Sequence, residues 1–255
     1  MSSDPAQKVD PASHRVARTR VFPLAALAFG AAALFAVARP DLALVEHVEF
    51  QGAERSSPVA LRHLADIRNG TTMWRVDLRR AQRGAEAHPW VRSARVYRKL
   101  PDTVVVEVEE YEPVALLHHN GLFYVDRSGA VFLRARTDEL DYPVITGIDQ
   151  ALERAHPDLP RLVLRDTLWL LETLDSRGLV SRSQVSEIAF SRTRGFTAHL
   201  GGGAELRFGL EGLDRQVDRL SVLLGEGVDL GEPVLVDLAP ASVAIVRPLG
   251  VRGEG

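Results

Sequence analysis

The feature that most constrains this chain is an uninterrupted apolar run, VFPLAALAFGAAALFAVA, between Arg20 and Arg39. As a helix, a run of that length spans roughly 27 Å, close to the ~30 Å hydrocarbon core of a bilayer. Many of its residues are alanines, so insertion rests on Val21, Phe22, Leu24, Leu27, Phe29, Leu34, Phe35 and Val37. At about −0.3 to −0.6 kcal/mol each, these favour the membrane by roughly 2.5–5 kcal/mol. Pro23 falls in the first turn, where its missing N–H would have no partner in any case. A cleaved secretory signal is a competing reading, because Ala36-Val37-Ala38 fits an A-x-A cleavage site. Against it stand the length of the run and an awkward mature start at Arg39-Pro40. A buried helix of a soluble domain is the third reading. The expectation adopted is a single transmembrane helix over 21–38.

The flanks give its direction. Lys8, Arg15, Arg18 and Arg20 oppose Asp4 and Asp10 in residues 1–20, a polar tail with two Asp-Pro-Ala segments. Excess positive charge beside an apolar span stays in the cytoplasm. The remaining residues carry 27 basic against 32 acidic side chains, once those six are taken from the 31 and 34 of the whole chain. That net −5 lies on the exported side and offers no basic footprint for nucleic acid. The chain has no cysteine, which excludes disulfide frameworks, thiolate-bound metal, iron–sulfur clusters and a thiol nucleophile together.

After the apolar run, ALVEHVEFQ alternates as a strand should and ends at Gly52. SSPVALRHLADIRNG reads as a helix, with Ser57 as N-cap, Pro58 at its first position and Gly70 past its end. Val59, Leu61, Leu64, Ala65 and Ile67 form its apolar side. A second helix starts at Asp77 and stops before Pro89. VRSARVYR and TVVVEVEE then read as strands joined by Lys99-Leu100-Pro101-Asp102. In the latter, Val104, Val106 and Val108 share one face. Residues 43–112 therefore form a β-α-α-β-β unit able to cover one face of a small sheet with two helices.

Hairpins follow. VALLHH, Asn120-Gly121 and LFYVD give a type I′ hairpin pattern, and Asp126-Arg127-Ser128-Gly129 turns the chain into AVFLRAR. The proline-bearing stretch 137–160 reads as a crossing loop. LVLRDTLWLLETLDSRG is a helix stopped by Gly178, with Leu164, Leu168, Leu171 and Leu174 as its stripe and Trp169 beside it. QVSEIAF, GFTAHL and AELRFG read as strands, LDRQVDRLSVLL as a helix, and EPVLVDLAPASVAIVR as a closing strand or strand pair. The fold class expected is α+β: the membrane helix, the β-α-α-β-β unit, then a β-rich domain over 113–250 with two helices and a short tail at 251–255.

No arrangement for catalysis emerges. His118-His119 are neighbours on a strand, so they face opposite sides and cannot chelate together. His199-Leu200-Gly201-Gly202-Gly203 is similar to an esterase oxyanion loop, yet no G-x-S-x-G accompanies it, and a glycine-rich hairpin turn explains it better. Glu109, Glu110 and Glu112 read as a solvated acidic patch at a strand end. Phosphate-binding glycine loops are missing, so no cofactor and no metal is expected and a non-enzymatic role leads.

Several stretches fall into an order. Asn69-Gly70 and Arg75-Val76-Asp77 precede His88-Pro89-Trp90-Val91-Arg92-Ser93-Ala94-Arg95-Val96. Leu100-Pro101-Asp102-Thr103, Val108-Glu109-Glu110-Tyr111-Glu112-Pro113-Val114-Ala115, Val125-Asp126-Arg127-Ser128-Gly129 and Tyr142-Pro143-Val144-Ile145-Thr146-Gly147 come after. This succession closely resembles the FtsQ/DivIB family of bacterial cell-division proteins, from the apolar run to about residue 247. The resemblance implies an inner-membrane, single-pass protein at the division septum, with a POTRA domain and a second β domain in the periplasm. It also implies partners similar to FtsB (DivIC) and FtsL, bound along a terminal edge strand. The matching positions here are Val236, Leu238, Ala239, Pro240, Ala241, Ser242, Val243 and Ile245. Where the family often carries Arg-Tyr, this chain has Ala239-Pro240, which removes a charged and an aromatic anchor and a ladder donor. A POTRA-bearing export or outer-membrane assembly factor is the alternative reading, and an envelope hydrolase a more distant one.

Overall fold

The stretch TVVVEVEE becomes the central strand of the first of two sheets. The computed structural model describes residues 43–136 and 141–249. The expected cytoplasmic tail, membrane helix and C-terminal tail lie outside the described residues. Among the described residues, no helix is long and apolar enough to cross a membrane. The first unit runs β1 (His47–Gln51), α1 (Pro58–Ala65), α2 (Leu78–Glu86), β2 (Val91–Lys99) and β3 (Thr103–Glu110), with a 3₁₀ turn at Met73–Arg75 between the helices. Its sheet order is β1-β3-β2, with β1 parallel and β2 antiparallel to β3. Val104, Val106 and Val108 pack with Val96 against Leu61, Ala65, Ala81 and Ala85 of the two helices. The helices touch closely: a Cβ on Gly84 would lie 2.1 Å from the Leu64 carbonyl oxygen, so only glycine fits there.

Three local expectations are corrected in this unit. The helix α1 ends at Ala65, because Asp66 takes a left-handed conformation with φ 50°, whereas Gly70 donates to the Val45 carbonyl at 2.8 Å. Ser57 holds the N-cap backbone position without a side-chain cap bond. Val59 is 79% exposed and Leu64 is also open to solvent, since α1 buries only Leu61 and Ala65. Asp77 does cap α2, accepting from the Arg80 N–H at 3.0 Å.

The second sheet begins at β4 (Pro113–His118) and β5 (Leu122–Asp126), whose connection places Asn120 and Gly121 at φ 52° and 143°. It continues through β6 (Val131–Arg134), β7 (Val144–Thr146), α3 (Gln150–Ala155), α4 (Leu159–Ser176), β8 (Val185–Ser191), β9 (Gly195–Leu200), β10 (Glu205–Phe208), α5 (Leu213–Gly225), β11 (Val234–Asp237) and β12 (Ile245–Pro248). Nine strands form one sheet in the order β12-β11-β10-β9-β8-β7-β4-β5-β6. Leu168, Leu170, Leu171 and Leu174 of α4 and Val217 and Leu220 of α5 share one core with Ile145, Ile188, Phe196, Phe208 and Val236 of the strands.

The stretch expected as a crossing loop is more ordered than that. Its three-residue β7 pairs in parallel with both β4 and β8 and joins the two halves of the sheet. Gly147 leaves it at φ 88°, where a Cβ would lie 2.1 Å from the Phe190 carbonyl oxygen. Asp149 then caps α3 by accepting from the Leu152 N–H at 2.7 Å. Among the described residues, the second domain therefore carries three α-helices rather than two.

Candidate functional site

The candidate partner-binding residues fall on both sides of one turn. Val236 and Leu238 are fully buried, and β11 lies inside the sheet, parallel to β10 and antiparallel to β12. Leu238 extends the β10 ladder by donating to the Arg207 carbonyl at 2.8 Å. These two residues thus anchor the edge from within and present no side chain outward: of the closing strand pair, β11 is the inner strand and β12 the edge. Ala239, Pro240, Ala241, Ser242 and Val243 form the turn, where Val243 is 55% exposed. Ile245 opens β12, the last strand of the sheet, and is 48% exposed.

Pro240 sits in that turn, outside the ladder, so it removes no strand hydrogen bond. Its carbonyl instead accepts from the Arg219 guanidinium of α5 at 2.5 Å, and the Leu238 carbonyl accepts at 2.6 Å. Arg219 thereby fixes the turn from beneath. The parity of β12 follows from its register. Leu249 donates to the Pro233 carbonyl at 2.9 Å, and Val234 pairs with Pro248 and Val236 with Val246. Antiparallel pairs alternate between bonded and non-bonded, so Ile245 and Arg247 bond inward, while the backbone N–H and C=O of Val246 point outward. Pro248 occupies the next outward position, where its missing N–H costs the sheet nothing. No described strand pairs with the outer side of β12.

At the opposite end of the sheet, β6 meets the first unit. Trp90 lies 5.4 Å from the Tyr124 ring and 5.5 Å from that of Phe132, while Tyr111 stacks on Phe132 at 4.4 Å. The Arg55 guanidinium sits 4.8 Å above Trp90, and its Nη2 donates to the Tyr142 hydroxyl at 3.3 Å. Arg92 reaches to 3.8 Å from the buried Asp126, whose other oxygen accepts from the N–H groups of Ser128 and Ala130. Glu110 is more than a solvated acid: it accepts from the backbone N–H groups of Arg55 and Ser56 at 2.8 and 2.7 Å and from the Ser56 hydroxyl. Partial desolvation pushes its carboxyl up, but the hydrogen bonds from Ser56, Arg55 and Glu54 outweigh it and hold it below the ordinary carboxylate range. Trp90 packs between the two units, a role that nothing in the local pattern around Pro89 distinguishes from core packing.

The residues weighed for chemistry are spoken for locally. His119 Nδ1 contacts the Ile148 carbonyl at 3.1 Å, and His199 faces Glu205 across a strand pair at 3.7 Å. Gly201–Gly203 form the turn between β9 and β10, where the Leu200 N–H bonds the Ala204 carbonyl. One described group, Glu46, His47 and Asp102, brings three possible ligand atoms within 4.8 Å of one another. It lies at the surface, and Asp102 already accepts from the Thr103 hydroxyl.

Comparison with known proteins accords with this architecture. The POTRA domain of FtsQ type matches residues 43–111, and the C-terminal domain of the cell division proteins FtsQ/DivIB matches residues 115–239. The chain is 36% identical to the cell division protein FtsQ of Anaeromyxobacter sp. (strain K), over 85% of this chain and 75% of that protein. It is 33% identical to FtsQ of Syntrophotalea carbinolica over 71% of this chain, and there the match spans just under two thirds, 64%, of the relative. FtsQ of Geobacter sp. (strain M21) is 32% identical over 79% of this chain and 75% of its own length. With a POTRA sheet, a nine-stranded second sheet and these relatives in the same order along the sequence, the chain belongs to the FtsQ/DivIB family of bacterial cell-division proteins.

Proposed function

We propose that this protein is a non-catalytic, membrane-anchored scaffold of the divisome that takes up FtsB/DivIC-like and FtsL-like partners during septal peptidoglycan synthesis. The observation that carries the reading is β12: an edge strand with free outward backbone groups at Val246 and exposed apolar side chains at Val243 and Ile245. Such an edge accepts a partner segment as a further strand, with main-chain bonds giving affinity and side-chain contacts giving specificity. The buried part of the candidate set, Val236 and Leu238, holds the edge in place, and the turn 239–243 borders it. The anchor at 21–38 keeps the N-terminus in the cytoplasm and the two domains in the periplasm. The export-factor alternative is disfavoured by the match at 115–239 to a division-protein domain.

The test uses the parity of the strand. Val246→Pro removes an N–H that no described strand uses, so the fold survives while strand addition fails. Titration of the chain with the FtsB-like protein of the same cell is expected to show at least tenfold weaker binding for Val246→Pro and for Val243→Asp. Unchanged affinity in both variants would sink the edge-strand reading. A fluorescent fusion at the N-terminus is expected to form a ring at the division site, and an even envelope signal would contradict the septal role.

A further inference from the structure

We propose that the end of the POTRA domain carrying Leu44, Trp74 and Leu100 rests in the headgroup layer of the membrane that holds the chain. The register puts these residues together. Because β1 runs parallel to β3 with His47 opposite Thr103, the start of β1, the start of β3 and the β2–β3 turn all lie at one end of the sheet. Leu44 forms a bridge with Thr72, and the Met73 N–H donates to the Ala43 carbonyl at 2.7 Å. Arg98 donates to the carbonyls of Met73 and Val76, both at 2.8 Å, and its guanidinium lies 5.5 Å from the Trp74 ring. Met73 is fully buried beneath, so the turn holding Trp74 is fixed.

Three large apolar side chains are nonetheless left in the open at this tip: Leu44 is 42%, Trp74 53% and Leu100 60% exposed. The domain's remaining exposed apolar residues are spread elsewhere, Val59 and Leu64 on α1 and Tyr97 on β2. The position of the tip identifies what covers it. Only Arg39, Pro40, Asp41 and Leu42 separate the apolar run from Ala43, and four residues reach no more than about 14 Å when extended. The headgroup layer is itself roughly 5–8 Å deep, and tryptophan is the side chain most suited to it, apolar in body and polar at one edge. The charges around the tip cancel: Arg75, Arg98 and Lys99 stand against Glu46, Glu49 and Asp102. The contact is therefore apolar and aromatic in kind, and indifferent to the charge of the lipid. This inference rests on residues 21–38 spanning the bilayer.

The full chain, reconstituted in phosphatidylcholine vesicles, tests it. With Trp90→Phe and Trp169→Phe, Trp74 is the sole tryptophan of the three in the chain. Its emission is expected to be quenched at least twofold more by lipids brominated near the headgroup than that of a Trp169-only variant. It should also be shielded from aqueous iodide, with no change between 50 and 500 mM salt. The chain has no cysteine, so Leu100→Cys carrying an environment-sensitive dye gives a second reading that leaves the aromatic residues intact. Iodide-accessible Trp74 and a water-exposed dye at Leu100, in a chain that resists alkaline extraction, would overturn the proposal and leave the anchor standing. Extraction of the chain at alkaline pH would overturn both. Shielding that grows with protein-to-lipid ratio would assign the tip to a second copy instead and refute contact with lipid.

Discussion

Replacing Trp90 by alanine should uncouple the two exported units. Its ring meets Tyr124 and Phe132 at 5.4 and 5.5 Å and carries the Arg55 guanidinium at 4.8 Å. Each aromatic pair contributes about 0.5–1.5 kcal/mol beyond its buried area. The cation above the ring adds about 0.5–1 kcal/mol at a half-open site. Together these couple the units by about 1.5–4 kcal/mol. For a unit of some 70 residues, with a urea m-value of about 2 kcal/mol per molar, that moves its unfolding midpoint down by about 0.7–2 M. The assay is urea unfolding of residues 39–255, followed at once by far-UV circular dichroism and tyrosine fluorescence. The parent should unfold in one transition or two close ones, and Trp90→Ala should separate them, with the POTRA unit melting first. Trp90→Phe retains stacking and should recover at least half of the shift. A midpoint displaced by less than about 0.3 M in Trp90→Ala would show that the cluster is contact without coupling, and the argument from ring geometry would be wrong.

Other consequences are as direct. The Glu110 carboxyl is held below the ordinary value of 4.5 in the folded chain, so its contribution is present above that pH and is lost as pH falls through the lowered value. Glu110→Gln should therefore lower stability at pH 7 and flatten the acid limb of a pH–stability curve measured between pH 2 and 5. Asp77→Ala deletes the cap of α2 and should cost about 1 kcal/mol in urea unfolding. Gly147→Ala forces a Cβ against the Phe190 carbonyl at a positive φ, and should cost more than about 2 kcal/mol or prevent folding, read by the thermal midpoint. Arg219→Ala frees the turn 239–243 while the sheet remains. Amide exchange there should quicken at least tenfold, with β8 and β9 unchanged.

Much of this fold was legible because its strands alternate and its helices carry explicit stops. TVVVEVEE, QVSEIAF and GFTAHL each show the period of two, and Asp77 marked the start of α2. What escaped was short or non-local. A three-residue strand such as β7 has too few positions to show any period, and it exists because β4 and β8 bond it from both sides. The helix α3 has six residues and owes its place to the Asp149 cap and to Leu152 packing in the core. The candidate edge was legible as a closing strand pair, but not its division of labour. Nothing in VLVDLAPASVAIV says that Val236 faces inward and Val243 outward, because the decisive neighbours, Arg207 and Arg219, lie far back in the chain. Pro240 misled for the same reason, as a proline in a ladder and a proline in a turn look alike until the partner strand is placed.

The geometry of β12 also sets a limit on how it can bind. Of its four residues only Val246 and Pro248 turn backbone groups outward, and Pro248 has no N–H, so there is room for about three backbone hydrogen bonds to an added strand. At a net of about 1 kcal/mol each, these supply roughly 3 kcal/mol. A micromolar complex needs about 8 kcal/mol, before the cost of ordering both segments is met. The remaining ~5 kcal/mol corresponds to roughly 200 Å² of apolar surface at 25 cal/mol per Å². Val243 and Ile245 provide part of that area, and neighbouring surface must provide the rest. Strand addition alone is then too weak to hold a partner, and apolar contact alone would not fix its register. Both variants, Val246→Pro and Val243→Asp, should each weaken binding measurably, and the double variant should abolish it. A partner that tolerated both changes in full would be binding this domain somewhere other than its last strand.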